Sequence, residues 1–160
     1  GMNGGEGEGY TVPMHVPGHT LGHMAFYFPN GGAVFTADSL MALGCGRVFE
    51  GTPEMMWESL SKLAALSPET MVYSGHEYTL SNARFALTIE PGNEALKSRV
   101  VGIEKARAAG EPTAQVRLSE ELETNPFLRA NREDVKASLG MAGCSDAESF
   151  AEIRKRKDNF

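Results

Sequence analysis

The sequence lacks long apolar runs. No stretch approaches the roughly 18 consecutive apolar residues that a membrane-spanning helix needs. Its start, Gly1-Met2-Asn3-Gly4-Gly5-Glu6, has neither the basic stretch nor the apolar stretch of a secretory leader. A cytoplasmic protein without a membrane partner is the resulting expectation. Cysteine is scarce: Cys45 and Cys144 are the only two, far apart, which points to reduced thiols rather than a disulfide framework. Neither has a histidine nearby in sequence to activate it as a nucleophile. Positive charge is also short, with 15 Lys and Arg against 21 Asp and Glu and a net charge of −6. That balance excludes a nucleic-acid partner, because neutralising phosphates needs a basic surface. The local exception is the run Arg154-Lys155-Arg156-Lys157, suited to a small anion.

What remains is ordinary globular material, 41% hydrophobic and 22% charged in 160 residues, enough for one real core. Residues 1–9 are glycines, two glutamates, a Met and an Asn, with nothing to bury, and predict a disordered N-terminus. Short runs rich in aromatic and β-branched residues follow at 10–16, 24–28 and 33–36, broken by Pro17-Gly18 and Pro29-Asn30-Gly31-Gly32. They predict consecutive strands, the last two joined as a hairpin. Thr52-Pro53-Glu54 offers an N-cap, a first-turn proline and a first-turn acid, so a helix is expected over 53–66. Met71-Val72-Tyr73 reads as a short buried strand.

From Thr79 onward the pattern predicts helices only, at about 79–89, 93–109, 131–139 and 146–156, the last opened by the capping box Ser145-x-x-Glu148. Sheet first and helices afterwards is an α+β arrangement. The expected partition is a sheet-containing domain at 10–90 and a helical domain at 91–160.

Three predicted strand ends carry metal-competent side chains: His19 and His23 after Pro17-Gly18, Asp38 after Phe35-Thr36-Ala37, and His76 after Ser74-Gly75. Loops at strand ends let a rigid sheet present ligands to one point. Two imidazoles and a carboxylate suit Zn, Fe or Mn, and a carboxylate can bridge two ions. Taken singly, a histidine at a strand end is more often a hydrogen-bonded structural residue than a ligand. His23 is expected to support or pack, and His15, inside a strand, to pack.

The segments Gly18-His19-Thr20-Leu21-Gly22-His23, Phe35-Thr36-Ala37-Asp38, Gly44-Cys45-Gly46-Arg47-x-Phe49-Glu50-Gly51, Ser74-Gly75-His76-Glu77-Tyr78-Thr79, Asn125-Pro126-Phe127-Leu128-Arg129 and Arg154-x-x-Lys157-Asp158-x-Phe160 together resemble the C-terminal portion of a hydroxyacylglutathione hydrolase (glyoxalase II). The resemblance covers residues 10–160. The His19, Asp38 and His76 segments are shared across metallo-β-lactamase-fold hydrolases, whereas the Gly-Cys-Gly-Arg, Asn-Pro-Phe and tail segments single out glyoxalase II over a persulfide dioxygenase or lactonase. The implied fold is the second half of a metallo-β-lactamase-like αββα sandwich followed by a C-terminal helical domain. The implied activity is hydrolysis of S-2-hydroxyacylglutathione, as in methylglyoxal detoxification. The implied cofactors are two divalent ions, Zn with Fe or Mn as alternatives. His19 would bind one ion and His76 the other, with Asp38 as the catalytic bridge. The implied glutathione contacts are Arg47, Phe49, Tyr78, Arg154 and Lys157, Phe49 standing where a Tyr is also seen. Arg154 and Lys157 also sit where a helix C-terminus favours cations regardless of any ligand.

The family's His-x-His-x-Asp-His segment has no counterpart in this sequence. Two expectations follow: a piece of a hydrolase that is inactive alone, or a non-catalytic remnant that keeps a glutathione-binding pocket. A sheet lacking its partner layer is further expected to self-associate through the bare face.

Overall fold

The computed structural model describes residues 10–160. The expected disorder at 1–9 lies outside the described residues. Along the chain come β1 (Val12–His15), β2 (Met24–Phe28), β3 (Ala33–Phe35), β4 (Leu40–Met41), β5 (Gly44–Cys45), α1 (Pro53–Ala64), β6 (Met71–Tyr73), α2 (Thr79–Ile89), α3 (Glu94–Ala108), β7 (Gln115–Arg117), α4 (Leu118–Thr124), α5 (Glu133–Ser138) and α6 (Asp146–Asp158).

The main sheet runs β1-β2-β3-β6-β7, and β4 with β5 forms a separate small hairpin. β1, β2 and β3 are an antiparallel meander, β6 joins β3 in parallel and β7 returns antiparallel. β1, β3 and β6 therefore all point the same way. Alternation sorts the faces. Ala25, Val34, Val72 and Val116 are buried on one. The first three share a core with Met56, Leu60 and Leu63 of α1 and with Phe85, Phe127, Phe150 and Ile153 from the later helices. α1 starts where expected, the Thr52 side chain accepting from the Met55 amide with Pro53 opening the first turn. Its Trp57 packs against Phe150 of α6, ring centres 6.1 Å apart.

The opposite face carries an aromatic row. Register places Phe26 beside Phe35 and Phe35 beside Tyr73, the last two rings stacking at 4.9 Å. Phe28 meets Phe35 edge-on at 5.5 Å. Phe26 and Phe35 remain 44% and 46% exposed, so helices cover one side of the sheet and leave these rings on the other.

The stretch after Thr79 is not wholly helical: β7 completes the sheet within it, and α4 follows directly. Residues from 10–90 and from 91–160 pack together in a large apolar cluster, beside a smaller one formed by Leu43, Ala83, Ala86, Leu96, Val100 and Ile103. His15 is exposed at the end of β1 rather than packed. Its register partner Met24 and the preceding Pro13↔Phe26 pair show that it ends the strand on the aromatic-row side, and its Nε2 donates to the Leu21 carbonyl at 2.7 Å.

Candidate metal and substrate site

The common direction of β1, β3 and β6 explains the site. Each of the three motifs follows the C-terminal end of one of these strands, where open α/β sheets gather ligands. β3 and β6 are neighbours in register, Phe35 beside Tyr73, so Asp38 and His76, each three residues further on, emerge side by side. His19 arrives by the turn after β1, which is fastened at several points. Val16 donates to the His23 carbonyl, Phe49 to that of His19 and Gly51 to that of Gly18, and the Ser59 hydroxyl donates to the Pro17 carbonyl at 2.6 Å.

The three side chains meet. His76 Nε2 lies 2.7 Å from Asp38 Oδ1, and His19 Nε2 lies 3.6 Å from Asp38 Oδ2. Each imidazole thus faces a different oxygen of one carboxylate. His19 Nδ1 is 2.8 Å from the Arg47 carbonyl. A carbonyl only accepts, so Nδ1 carries the proton and Nε2 is left as the nitrogen turned to Asp38. His23 Nε2 likewise donates to the Thr36 carbonyl at 3.2 Å, and its ring meets that of His19 edge-on. Asp38 is set by a tight turn in which Thr36 is fully buried, the Thr36 hydroxyl donates to the Leu40 carbonyl, and Ala37 takes a left-handed φ of 48°. A non-glycine residue in that region is uncommon and stores local strain next to the carboxylate. Glu77, next to His76, accepts from the Thr113 amide and hydroxyl, tying the His76 loop to the segment before β7.

Gly46 closes against this group. A Cβ there would fall well inside contact distance of the Asp38 carbonyl oxygen and 2.8 Å from His19 Nδ1. Glycine is what lets the strip after β5 run flush against both. Together these residues line a cleft of about 440 Å³ that includes all eight side chains singled out from sequence: His19, Asp38, Arg47, Phe49, His76, Tyr78, Arg154 and Lys157. The Phe49 ring sits 5.1 Å from His19, and Tyr78 stacks on His76 at 5.1 Å. Among the described residues, no group of three or more His, Cys, Asp or Glu is arranged around a single ion position.

Comparison with known proteins separates the two halves of the chain. Residues 2–76 match the metallo-beta-lactamase superfamily, and residues 77–160 match the hydroxyacylglutathione hydrolase C-terminus. The chain belongs to the hydroxyacylglutathione hydrolase family. Relatives bearing the name hydroxyacylglutathione hydrolase include one from Cereibacter sphaeroides, 60% identical over 92% of this chain and 58% of its own length. Another, from Ruegeria pomeroyi, is 63% identical over the same shares. The chain thus spans well under two thirds of these relatives. Among solved structures it is similar to ETHE1 from Myxococcus xanthus, with a TM-score of 0.55 and 25% identity over 93% of this chain and 46% of that one. It also shares the fold of a metallo-beta-lactamase from Staphylococcus aureus, TM-score 0.52, over 94% of this chain and 40% of that one.

The part matching the hydroxyacylglutathione hydrolase C-terminus supplies the basic wall of the cleft, and here the arrangement departs from a simple ring of ligand-facing cations. Arg154 is 8% exposed and already engaged. Nη1 donates to the Cys45 carbonyl at 2.8 Å, Nε and Nη2 meet Asp158 Oδ1, and the guanidinium lies over the Phe127 ring at 5.1 Å. It braces the strip from below while adding positive charge behind it. Arg47 is 60% exposed and only 3.6 Å from Asp158. Burial, followed by the neighbouring cations Arg154 and Arg47, pulls the Lys157 ammonium below its usual range. Burial also pushes the Cys45 thiol up to about 11, so it is no nucleophile at neutral pH. Cys45, Asn82 and Phe127 also line the cleft without having been singled out from sequence. Cys45 lay inside the quoted Gly-Cys-Gly segment and Phe127 inside Asn-Pro-Phe; nothing local marks Asn82.

Proposed function

We propose that this chain carries the glutathione-holding part and a minority of the metal ligands of a thioesterase. Its substrate is S-2-hydroxyacylglutathione, S-D-lactoylglutathione being representative, and the products are glutathione and a 2-hydroxy acid. The observation that carries this reading is Asp38 placed between two imidazoles, one facing each carboxylate oxygen. That donor set fits a pair of divalent ions, Zn, Fe or Mn, with His19 and Asp38 for one and His76 and Asp38 for the other. Bound ions would supply Lewis acidity toward the thioester carbonyl and lower the pKa of water.

The chain's own residues do the rest. His19 keeps its Nδ1 proton on the Arg47 carbonyl, so its Nε2 lone pair faces the site. Arg47 and Lys157 offer charge to the two carboxylates of glutathione, and Phe49 and Tyr78 offer flat apolar faces beside the histidines. Ordinary cysteine or serine chemistry is not required, in keeping with a Cys45 held protonated.

A second reading, a glutathione-binding module without turnover, is favoured by the absence among the described residues of any three-donor cluster. Catalytic ions usually keep about three protein ligands. The test compares the 160-residue chain with a polypeptide extended to its relatives' full length. Expected are binding of S-hexylglutathione by both, turnover of S-D-lactoylglutathione with added Zn, Fe or Mn only by the longer one, and loss of that turnover in Asp38→Ala. If neither species binds S-hexylglutathione, the reading fails.

A further inference from the structure

The hairpin β4–β5 and its continuation form the strip between Asp38 and Arg47, and its backbone is held almost group by group from the helical side. Asn82 of α2 donates to the Ala42 carbonyl at 3.1 Å. Asn125, after α4, donates to the carbonyls of Met41 and Gly44 at 3.3 and 3.1 Å. Arg154 of α6 takes the Cys45 carbonyl. The backbone amide among them, that of Leu43, donates to Glu121 Oε1 at 3.0 Å.

Glu121 is the unusual member. Its side chain is fully buried, a rare state for a carboxylate. Oε1 also accepts from Asn125 Nδ2 at 3.0 Å, and Oε2 receives Arg99 Nη2 at 2.7 Å, the arginine side chain being 8% exposed. Leu43, whose amide it holds, has φ of 59°, a left-handed conformation that costs a leucine energy and persists only when its surroundings impose it. Three residues further on, Gly46 has no spare room against the Asp38 carbonyl and His19 Nδ1. A small movement of the strip therefore reaches both groups, and also the Arg47 carbonyl that fixes the His19 tautomer.

We propose that Glu121 is a positioning residue for the site: by holding the left-handed Leu43 amide and orienting Asn125, it sets the Gly46–Arg47 strip against His19 and Asp38. The site consequence rests on the function proposed above; the placement of His19 does not. Arg99 balances the buried charge, and the carboxylate supplies the geometry. Burying the pair is costly, and a well-packed apolar replacement of both partners is often neutral for stability. Loss of the charged pair is therefore tolerable, and what the carboxylate does for the Leu43 amide is read separately through His19.

The test uses Arg99→Met/Glu121→Met and Arg99→Gln/Glu121→Gln in the 160-residue chain, read by thermal melting, by ring 15N NMR signals of His19, and by affinity for S-hexylglutathione. The Met pair leaves the buried Leu43 amide without its acceptor, so it is expected to melt below the unmodified chain while staying folded, to lose the Nδ1-protonated signature of His19 and to bind the probe about tenfold more weakly, the scale seen when a ligand's supporting bond is removed. The Gln pair keeps an oxygen on the Leu43 amide and is expected to retain both the His19 signature and an affinity within about twofold of the unmodified chain, a change of under 1 kcal/mol. A folded Met pair with unchanged His19 signals overturns the proposal. If the Met pair does not fold, the Gln pair decides: folded with His19 displaced, it overturns the proposal equally. Failure of the unmodified chain to bind the probe would count against the functional reading alone, since the His19 signals are read without it.

Discussion

A single hydrogen atom decides whether the site can close. Gly46→Ala adds a methyl group where the Asp38 carbonyl oxygen and His19 Nδ1 already stand, and backbone cannot yield as a flexible side chain can. The substitution is expected to cost about 1–3 kcal/mol in urea unfolding, as overpacking does, and to abolish binding of S-hexylglutathione. Unaltered affinity would mean that the strip is free to move away. Lys157 gives a pH-dependent counterpart. Its ammonium is disfavoured in the fold by burial first and by Arg154 and Arg47 next, so its folded pKa lies below the ordinary lysine value of 10.5. Between those two values the unfolded chain binds more protons, and stability contributed by this group rises with pH. Anion binding runs the other way, because a carboxylate needs the charged form. Affinity for S-hexylglutathione is expected to fall as pH rises through the lowered Lys157 pKa, and Lys157→Met should flatten that fall in a titration followed by calorimetry.

Elements differ in how openly the sequence announces them. α6 declares itself through Ser145 and Glu148, and both bonds of the capping box are present, Ser145 amide to Glu148 Oε1 and Glu148 amide to Ser145 Oγ. Ser145→Ala is expected to lower stability by about 1 kcal/mol, measurable by urea unfolding. β2, β3, β6 and α1 were equally legible, from aromatic and β-branched runs punctuated by Pro and Gly and from the Thr52-Pro53 start. β7 was not: Gln115, Val116 and Arg117 hold one buried residue among three, and only pairing with β6 makes them a strand. α4 has no side-chain cap on its first turn, so only the acids Glu120 and Glu121 mark where it starts. The site shows the same division. His19, Asp38 and His76 could be picked out because strand-end motifs are local, whereas the inward turn of Arg154 and the burial of Glu121 depend on helices far along the chain. A charged residue on a short helix reads as solvent-facing until its partners Arg99 and the Leu43 amide are seen.

At the scale of the whole molecule, one core from Val16 to Ile153 binds both family regions together, and the sheet presents its other side as the row Phe26, Phe35 and Tyr73. Exposed aromatic rows of this kind promote association. Sedimentation of the 160-residue chain is expected to show concentration-dependent self-association that Phe35→Lys suppresses; a monomer unaffected by concentration would count against it. Trp57, the sole tryptophan, sits on the other side, against Phe150 at the joint of α1 and α6. Excited at wavelengths that indole alone absorbs, the molecule therefore carries a built-in optical probe of its last helix. The emission reports whether the C-terminal segment bearing Arg154 and Lys157 is docked, without a dye and without signal from the cleft itself.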